Sequence, residues 1–319
     1  MPPTSPFAPA AAPRKLAVIG LGLIGVRYLA AAEADPAFAL AAACDLGEAT
    51  PIDPRAVGVP VYRDHRALLA AHHDLGGAIV TGPGGGRAGL CRDLLAAGLP
   101  VCVEHPPATE VSDARALAAI AAERSLVLFA AFPRRHDAAL LELVAACAGA
   151  PIARVKVRHF EEQRDGSGGC LADRGPAAFD LVRLLFGEAE LSVVRAAIER
   201  DPTGVDRRAV IDLVTAGPTP RRAKVELDRR HPGEVRDVEV TLADGRLLRA
   251  DLPAGHPGSD TALRPEYQKV LTAFGAAIDA PGSRRDGGLA ALDLVAAAYR
   301  LDRDTATHVF RQSEFAQQT

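Results

Sequence analysis

The stretch Lys15-Leu16-Ala17-Val18-Ile19-Gly20-Leu21-Gly22-Leu23-Ile24-Gly25 decides the fold of this chain. A short apolar run suited to a buried strand ends in Gly-x-Gly-x-x-Gly, and a helical pattern follows over residues 24–34. Gly20 permits a tight strand-to-helix turn. Gly22 has no Cβ to keep a pyrophosphate from the backbone, and Gly25 lets the helix pack closely on the strand. The helix N-terminus then offers unpaired N–H groups and partial positive charge to phosphates. Asp45 lies twenty residues beyond Gly25, at the end of a second apolar run over 38–44, where a carboxylate accepts ribose hydroxyls. These features predict a dinucleotide site built on Gly20, Gly22, Leu23, Ile24, Gly25 and Asp45. A carboxylate at position 45 repels a 2′-phosphate, and Leu46-Gly47 supplies no arginine to receive one, so NAD is expected over NADP.

Working outward, residues 16–19, 39–44, 78–81, 99–103 and 126–131 read as buried parallel strands. Helical patterns lie between them, at 24–34, at 88–97 closed by Gly98, and at 111–123 with Ser112 as its N-cap. The alternation predicts an α/β Rossmann dinucleotide-binding domain over residues 14–134. Beyond about residue 150 strands follow one another, at 152–160, 191–199, 209–215, 222–227, 236–242 and 246–252, with Asp244-Gly245 as a two-residue hairpin turn. One helix, 176–186, interrupts them, and helices at 262–280 and 288–301 close the chain. Residues 135–319 are therefore expected to form an α+β domain on a mostly antiparallel sheet, for substrate binding and oligomerisation. An apolar sheet face left open calls for another subunit, so a homo-oligomer through the C-terminal sheet is expected. Residues 1–13, rich in Pro and Ala, read as a disordered tail without the basic start and apolar core of a secretory signal.

The 319 residues leave room for two ordinary domains. A net charge of −3 gives no electrostatic case for nucleic acid or an anionic membrane, and no apolar run approaches the roughly twenty residues of a membrane span. The cysteines Cys44, Cys91, Cys102, Cys147 and Cys170 are scattered, mostly in apolar runs, and form no Cys-x-x-Cys. They read as small buried hydrophobes of a reduced, cytoplasmic protein. His65, His72 and His73 lack the Cys or carboxylate spacing of a zinc site, and no metal is expected.

Further landmarks carry a resemblance: Thr81-Gly82-Pro83 after the third apolar run, Glu104-His105-Pro106 after the fourth, Arg134-Arg135-His136-Asp137, and the run from Gly168 to Asp180. With the glycine motif they make the chain similar, from Arg14 to the final helix, to the glucose–fructose oxidoreductase / inositol dehydrogenase / rhizopine catabolism family (Gfo/Idh/MocA). The resemblance implies an NAD(P)-dependent oxidoreductase that transfers a hydride to or from a small polar substrate, a sugar, cyclitol or related molecule. It also implies cofactor contacts from Thr81, Gly82, Pro83 and Glu104. This sequence departs from the family pattern in telling places. The usual Glu-Lys-Pro reads Glu104-His105-Pro106, the usual histidine four residues after Asp173 is Ala177, and Gly84-Gly85-Gly86-Arg87 replaces Asn and His side chains.

Moving a hydride to or from a C–O group requires moving a proton on the oxygen, and His105 stands where the family lysine would do so. His105 either handles that proton or packs against the cofactor. Asp173 is expected at the site as a second catalytic group, or as a helix cap only. Asp180, Arg87 and Arg134 are expected to bind substrate, the arginines as forks for an anionic group or as solvated surface charges. Loss of the lysine and histidine together suits an imine or activated carbonyl. It also keeps open a redox-neutral enzyme using bound NAD and a catalytically silent dinucleotide-binding sensor or scaffold.

Overall fold

The computed structural model describes residues 12–45, 57–82, 84–162, 169–252, 264–280 and 288–316, with backbone alone over 304–316. In chain order the elements are β1 (Arg14–Ile19), α1 (Leu23–Ala34), β2 (Phe38–Cys44), β3 (Val61–Tyr62), α2 (His65–Ala71), β4 (Gly77–Val80), α3 (Gly84–Ala96), β5 (Val101–Glu104), α4 (Val111–Glu123) and β6 (Leu128–Ala131). A 3-10 turn, Pro133–His136, leads to α5 (Ala138–Ala146), β7 (Ile152–Glu162), α6 (Cys170–Leu185), β8 (Leu191–Arg200), β9 (Asp206–Thr215), β10 (Arg222–Asp228), β11 (Arg230–Leu242) and β12 (Leu247–Asp251). The helices α7 (Pro265–Asp279) and α8 (Leu289–Ala316) follow. Most of the expected tail, residues 1–11, lies outside the described residues, as do Leu46, Gly47 and Pro83.

The chain divides into two compact units. The first carries a six-stranded sheet in the order β3-β2-β1-β4-β5-β6, with parallel pairing of β1 to β2 and β4, β2 to β3, and β4 to β5. This order, reversing at β1/β4, is that of a Rossmann sheet, in which ligands sit beyond the strand C-termini at the reversal. Ile19, Ala42, Val80, Val101 and Val103 pack with Leu68, Leu94, Leu95 and Leu117 of the helices. The two-residue strand β3 and the short helix α2 carry too little periodicity to stand out in the sequence. The late helix α7 also belongs to this unit, so the unit draws on sequence beyond residue 134. Phe274 of α7 packs against Gly77, where a Cβ would come within 3.2 Å of its ring.

The second unit carries another six-stranded sheet, β12-β11-β7-β10-β9-β8. Its pairing is antiparallel except for β7 with β10. Alternation fixes the faces: Val155, Val157, Ile211, Leu213, Val225, Leu227, Val238 and Val240 turn inward and pack with Leu171, Phe179, Val182 and Leu185 of α6, and with Val295 and Ala298 of α8. The residues between them overturn one expectation. The opposite face is charged, not apolar, and is laced by cross-strand ion pairs. Lys156 meets Glu226 at 3.1 Å, and Arg158 and Arg249 both grip Asp237, at 2.8 and 2.9 Å. Burial of an apolar face therefore gives no reason for this unit to associate.

Three local readings are also corrected. The β11–β12 connection has three residues, Ala243-Asp244-Gly245, because Leu242 N–H donates to Arg246 O at 2.9 Å and Gly245 takes φ +88°. Ser112 is not the N-cap of α4; it lies one residue inside the helix, which starts at Val111. Helix α6 starts at Cys170 and runs straight through Gly175-Pro176, a pair that reads as a boundary in sequence. Gly175 serves close packing instead: a Cβ there would lie 2.9 Å from Leu171 Cδ1 and 3.2 Å from Val295 Cγ2.

Candidate active site

In the first unit the glycine turn joins β1 to α1. Gly20 adopts φ +97°, and a Cβ there would lie 2.7 Å from Gly82 N. A Cβ at Gly25 would lie 1.8 Å from the carbonyl oxygen of Gly20, so helix and turn meet with no room for a side chain. Gly22 differs: it is the N-cap of α1, and a Cβ there would have nothing within 4 Å. The protein itself does not demand glycine at 22. An open position before the first N–H groups of a helix, with no acidic residue in its first turn, suits the pyrophosphate of a dinucleotide. Leu23 is exposed beside it, and Ile24 follows half-buried.

The neighbouring strand ends hold this turn in place. The Thr81 hydroxyl donates to Gly20 O at 2.8 Å. Asp45, at the end of β2, donates its backbone N–H to Tyr62 O at 3.0 Å, which ties it to the β3 end. Arg87, expected to bind substrate, is instead buried within its own unit. Its Nε and Nη2 donate to Gly82 O at 3.0 and 2.6 Å, and its Nη1 donates to Glu104 O at 2.9 Å. The guanidinium thus laces the ends of β4 and β5 together. Burial pulls it below its ordinary value, against the nearby Glu104 charge. The Glu104 carboxylate accepts from Tyr28 OH at 3.0 Å, and the Tyr28 ring meets Tyr267 of α7 edge-on at 5.0 Å.

His105 follows Glu104 directly and is the first residue of the second unit; its bond to Pro106 is cis. Its Nδ1 lies 3.1 Å from Ala131 O, and its ring lies 4.9 Å from that of Phe132. A carbonyl oxygen only accepts, so Nδ1 carries the hydrogen and, in the neutral ring, Nε2 carries the lone pair.

About three turns into α6, Asp180 is buried against Arg135 of the 3-10 turn. Arg135 Nε and Nη2 donate to its two oxygens at 2.5 and 2.6 Å, and Nη1 donates to Glu188 at 2.6 Å. Burial pushes the Asp180 carboxyl up from its ordinary value, against Arg135 and a smaller contribution from His105, which stabilise its charge. Burial opposes the Arg135 charge most strongly, but the hydrogen bonds and charges of Asp180 and Glu188 together hold the guanidinium above its ordinary value. Both carboxylate oxygens of Asp180 are thereby engaged, so this residue, expected to bind substrate, anchors α6 to the 3-10 turn. The sequence gives no hint of the pair, whose members stand 45 positions apart.

Asp173 is the fourth residue of α6, whose N-cap is Gly169, so it does not cap the helix. Its carboxylate accepts from Arg229 Nη2 at 2.7 Å. Arg134 lies 3.5 Å from Asp137. The remaining clusters are structural. His65 meets Asp93 at 2.9 Å and His72 meets Tyr62 OH at 3.1 Å, and no grouping of His, Cys, Asp and Glu among the described residues could hold a metal. All five cysteines are unpaired and buried. Burial, and then Asp206, push the Cys170 thiol far up, which makes it a poor nucleophile.

Residues 14–132 match the sequence model of the Gfo/Idh/MocA oxidoreductase family, NAD-binding Rossmann fold. Among solved structures the chain is similar to GenD2 from gentamicin A biosynthesis in complex with NAD, with a TM-score of 0.78 and 22% identity over 92% of this chain and 95% of that one. It is similar to a putative myo-inositol dehydrogenase from Sinorhizobium meliloti 1021, with a TM-score of 0.75 and 21% identity over 92% and 98%. It is also similar to KijD10, a 3-ketoreductase from Actinomadura kijaniata solved with TDP-benzene and NADP, with a TM-score of 0.72 and 21% identity over 91% and 98%. At these identities the likeness is one of fold. No helix among the described residues is long and apolar enough to cross a membrane.

Proposed function

We propose that the chain is a member of the Gfo/Idh/MocA oxidoreductases, whose NAD-binding Rossmann model matches residues 14–132. From that premise we propose that it is an NAD-dependent oxidoreductase acting on a small polar substrate, sugar-like, cyclitol or an imine or carbonyl metabolite, with His105 in the lysine's place. The observation that carries this reading is the open N-terminus of α1 at Gly22, set in a turn that Gly20, Gly25 and Thr81 hold rigid. Gly20, Gly22, Leu23, Ile24 and Gly25 would cradle the pyrophosphate, Asp45 the adenosine ribose, and Thr81, Gly82, Pro83 and Glu104 the remainder of the dinucleotide. When bound, that group accepts or donates a hydride.

The protein's own task is to hold the substrate and move one proton. In oxidation the neutral His105 takes the hydroxyl proton on Nε2; in reduction the imidazolium returns it. The Nδ1 bond to Ala131 O and the Phe132 ring fix the direction in which Nε2 points. Asp173, oriented by Arg229, and Arg134 contact the substrate, whereas Arg87 and Asp180 act through the elements they hold in place.

Unpaired, buried cysteines suit a reducing compartment, the cytoplasm. A homo-oligomer through the second sheet would rest on exchanged ion pairs, and sedimentation at low and high salt tests it, because such contacts weaken as salt screens them.

The function is tested by stripping the purified protein of nucleotide and titrating it calorimetrically with NADH and NADPH. The expected result is tight NADH binding and weaker NADPH binding, reversed in strength or levelled by Asp45→Ser. Binding of neither removes the reading.

A further inference from the structure

Strand β7 ends in His159-Phe160-Glu161-Glu162, and the Glu161 carboxylate becomes the hub of an arginine cluster that the family resemblance does not explain. Arg174 of α6 donates to its two oxygens at 2.9 and 3.2 Å. Arg229 Nε stands 3.3 Å away, Arg236 Nη2 of β11 stands 3.5 Å away, and His159 Nε2 lies at 3.3 Å. Three guanidinium groups thus converge on one carboxylate. The nearly buried Arg229 finds a second partner in Asp173, and Arg236 finds one in Glu234. Those outer acids are more exposed than the hub: Asp173 is 43% exposed, Glu234 31% and Glu161 13%.

Two observations single out Arg236. The Nε of Arg236 is buried and has no hydrogen-bond acceptor among the described residues, although an arginine N–H shut off from water ordinarily has one. Arg236 is also lowered to about 10, by burial first, then by the charge of Arg134, with Arg174 contributing, despite Glu234 and Glu161 nearby. Like charges held this close repel, and Glu161 and Glu234 offset part of that cost. His159 adds no charge of its own, because burial lowers it to about 4.

We propose that Arg134, Arg174 and Arg236 form an anion-recognition site, and that the substrate carries a carboxylate or phosphate group which this site binds. Guanidinium forks match either group bidentately. Arg236 supplies the buried donor, while Arg134 and Arg174, 29% and 39% exposed, supply the accessible rim. The location fits a substrate site. Asp173 and Arg174 stand about two turns, roughly 10 Å, along α6 from Asp180. Asp180 pairs with Arg135, the chain neighbour of Arg134, and lies within electrostatic reach of His105. The anionic group and the reacting carbon would then lie at separate ends of the substrate.

This inference rests on the oxidoreductase reading for its meaning, but binding tests it independently. The full chain is titrated calorimetrically with D-gluconate, D-glucose 6-phosphate and neutral myo-inositol, with and without NADH. One of the acids should bind at least tenfold more tightly than myo-inositol, and which one does so separates carboxylate from phosphate. Arg236→Met and Arg174→Met should each weaken that acid at least tenfold while leaving NADH affinity unchanged. Arg134→Gln, at a more exposed position, serves where a methionine variant does not fold. Acids that bind no better than myo-inositol, or equally well to folded arginine variants, overturn the proposal. Acid binding without NADH binding leaves the anion site standing and removes the oxidoreductase reading instead.

Discussion

The Nδ1 atom of His105 lies 3.1 Å from the carbonyl oxygen of Ala131, the last residue of β6. That contact places a hydrogen on Nδ1, and the Phe132 ring packs beside the imidazole. A lysine at this position would place a mobile ammonium on a flexible stem. The imidazole is a compact ring with two nitrogens at fixed positions. Ala131 therefore orients the ring that we propose handles the proton.

The two glycines of the turn separate folding from binding. Gly25→Ala places a Cβ 1.8 Å from Gly20 O, and we expect it to cost about 1–3 kcal/mol of stability as the backbone shifts. Gly22→Ala meets nothing within 4 Å and should stay within about 1 kcal/mol of the parent, as an N-cap exchange. It should nevertheless weaken NADH at least tenfold. Urea denaturation and calorimetry on the two variants check both halves, and NADH binding that is unchanged in Gly22→Ala would locate the pyrophosphate elsewhere.

Breaking the Arg135–Asp180 pair should be far worse than removing it. Asp180→Asn leaves the buried guanidinium with only the exposed Glu188 as counter-charge and should cost about 3–5 kcal/mol, whereas Arg135→Met combined with Asp180→Leu should recover most of that loss. Denaturation midpoints decide the matter. Equal destabilisation by the single and double changes would mean that the pair is not the anchor of α6.

His159 gives the second unit an acid limb. Its folded value, about 4, lies below its ordinary 6.5 because burial disfavours the charged ring, against the hydrogen bond to Glu161. The unfolded chain therefore binds the proton first. The resulting stability is fully present above about pH 6.5 and is lost as pH falls toward 4, by up to about 3 kcal/mol. His159→Gln should flatten that limb in melting curves taken between pH 7 and 4. A variant whose curve parallels the parent's would assign the acid sensitivity to the carboxylates.

Periodic or steric features stood out in the sequence, and features joining distant positions did not. The glycine turn, the buried strands of the first sheet and the alternation of the second follow from local sequence, because each states its own geometry. The start of α6 was hidden because Gly175-Pro176 reads as a break, whereas the space it fills is set by Val295 on α8. Helix α5 was missed because its apolar run, Ala138–Ala146, is too short to show a period. The charge of the outer sheet face depends on the register of β7, β10 and β11, and nothing local distinguishes Arg229 and Arg236 among so many arginines. His105 was visible by its place in the chain, while its partners Ala131 and Phe132 came from a strand whose proximity only the fold reveals.

The most direct test of the central claim compares the parent with His105→Phe, which keeps an aromatic ring beside Phe132 but has no nitrogen. Stripped proteins would be titrated with NADH and then assayed with NAD on a panel of polyols, aldoses and sugar acids, following NADH formation. The account predicts that both bind NADH within about twofold, that the parent oxidises at least one compound, and that His105→Phe does so about 10²–10⁴-fold more slowly. A variant that turns over at the parental rate would contradict the assignment of the proton to His105.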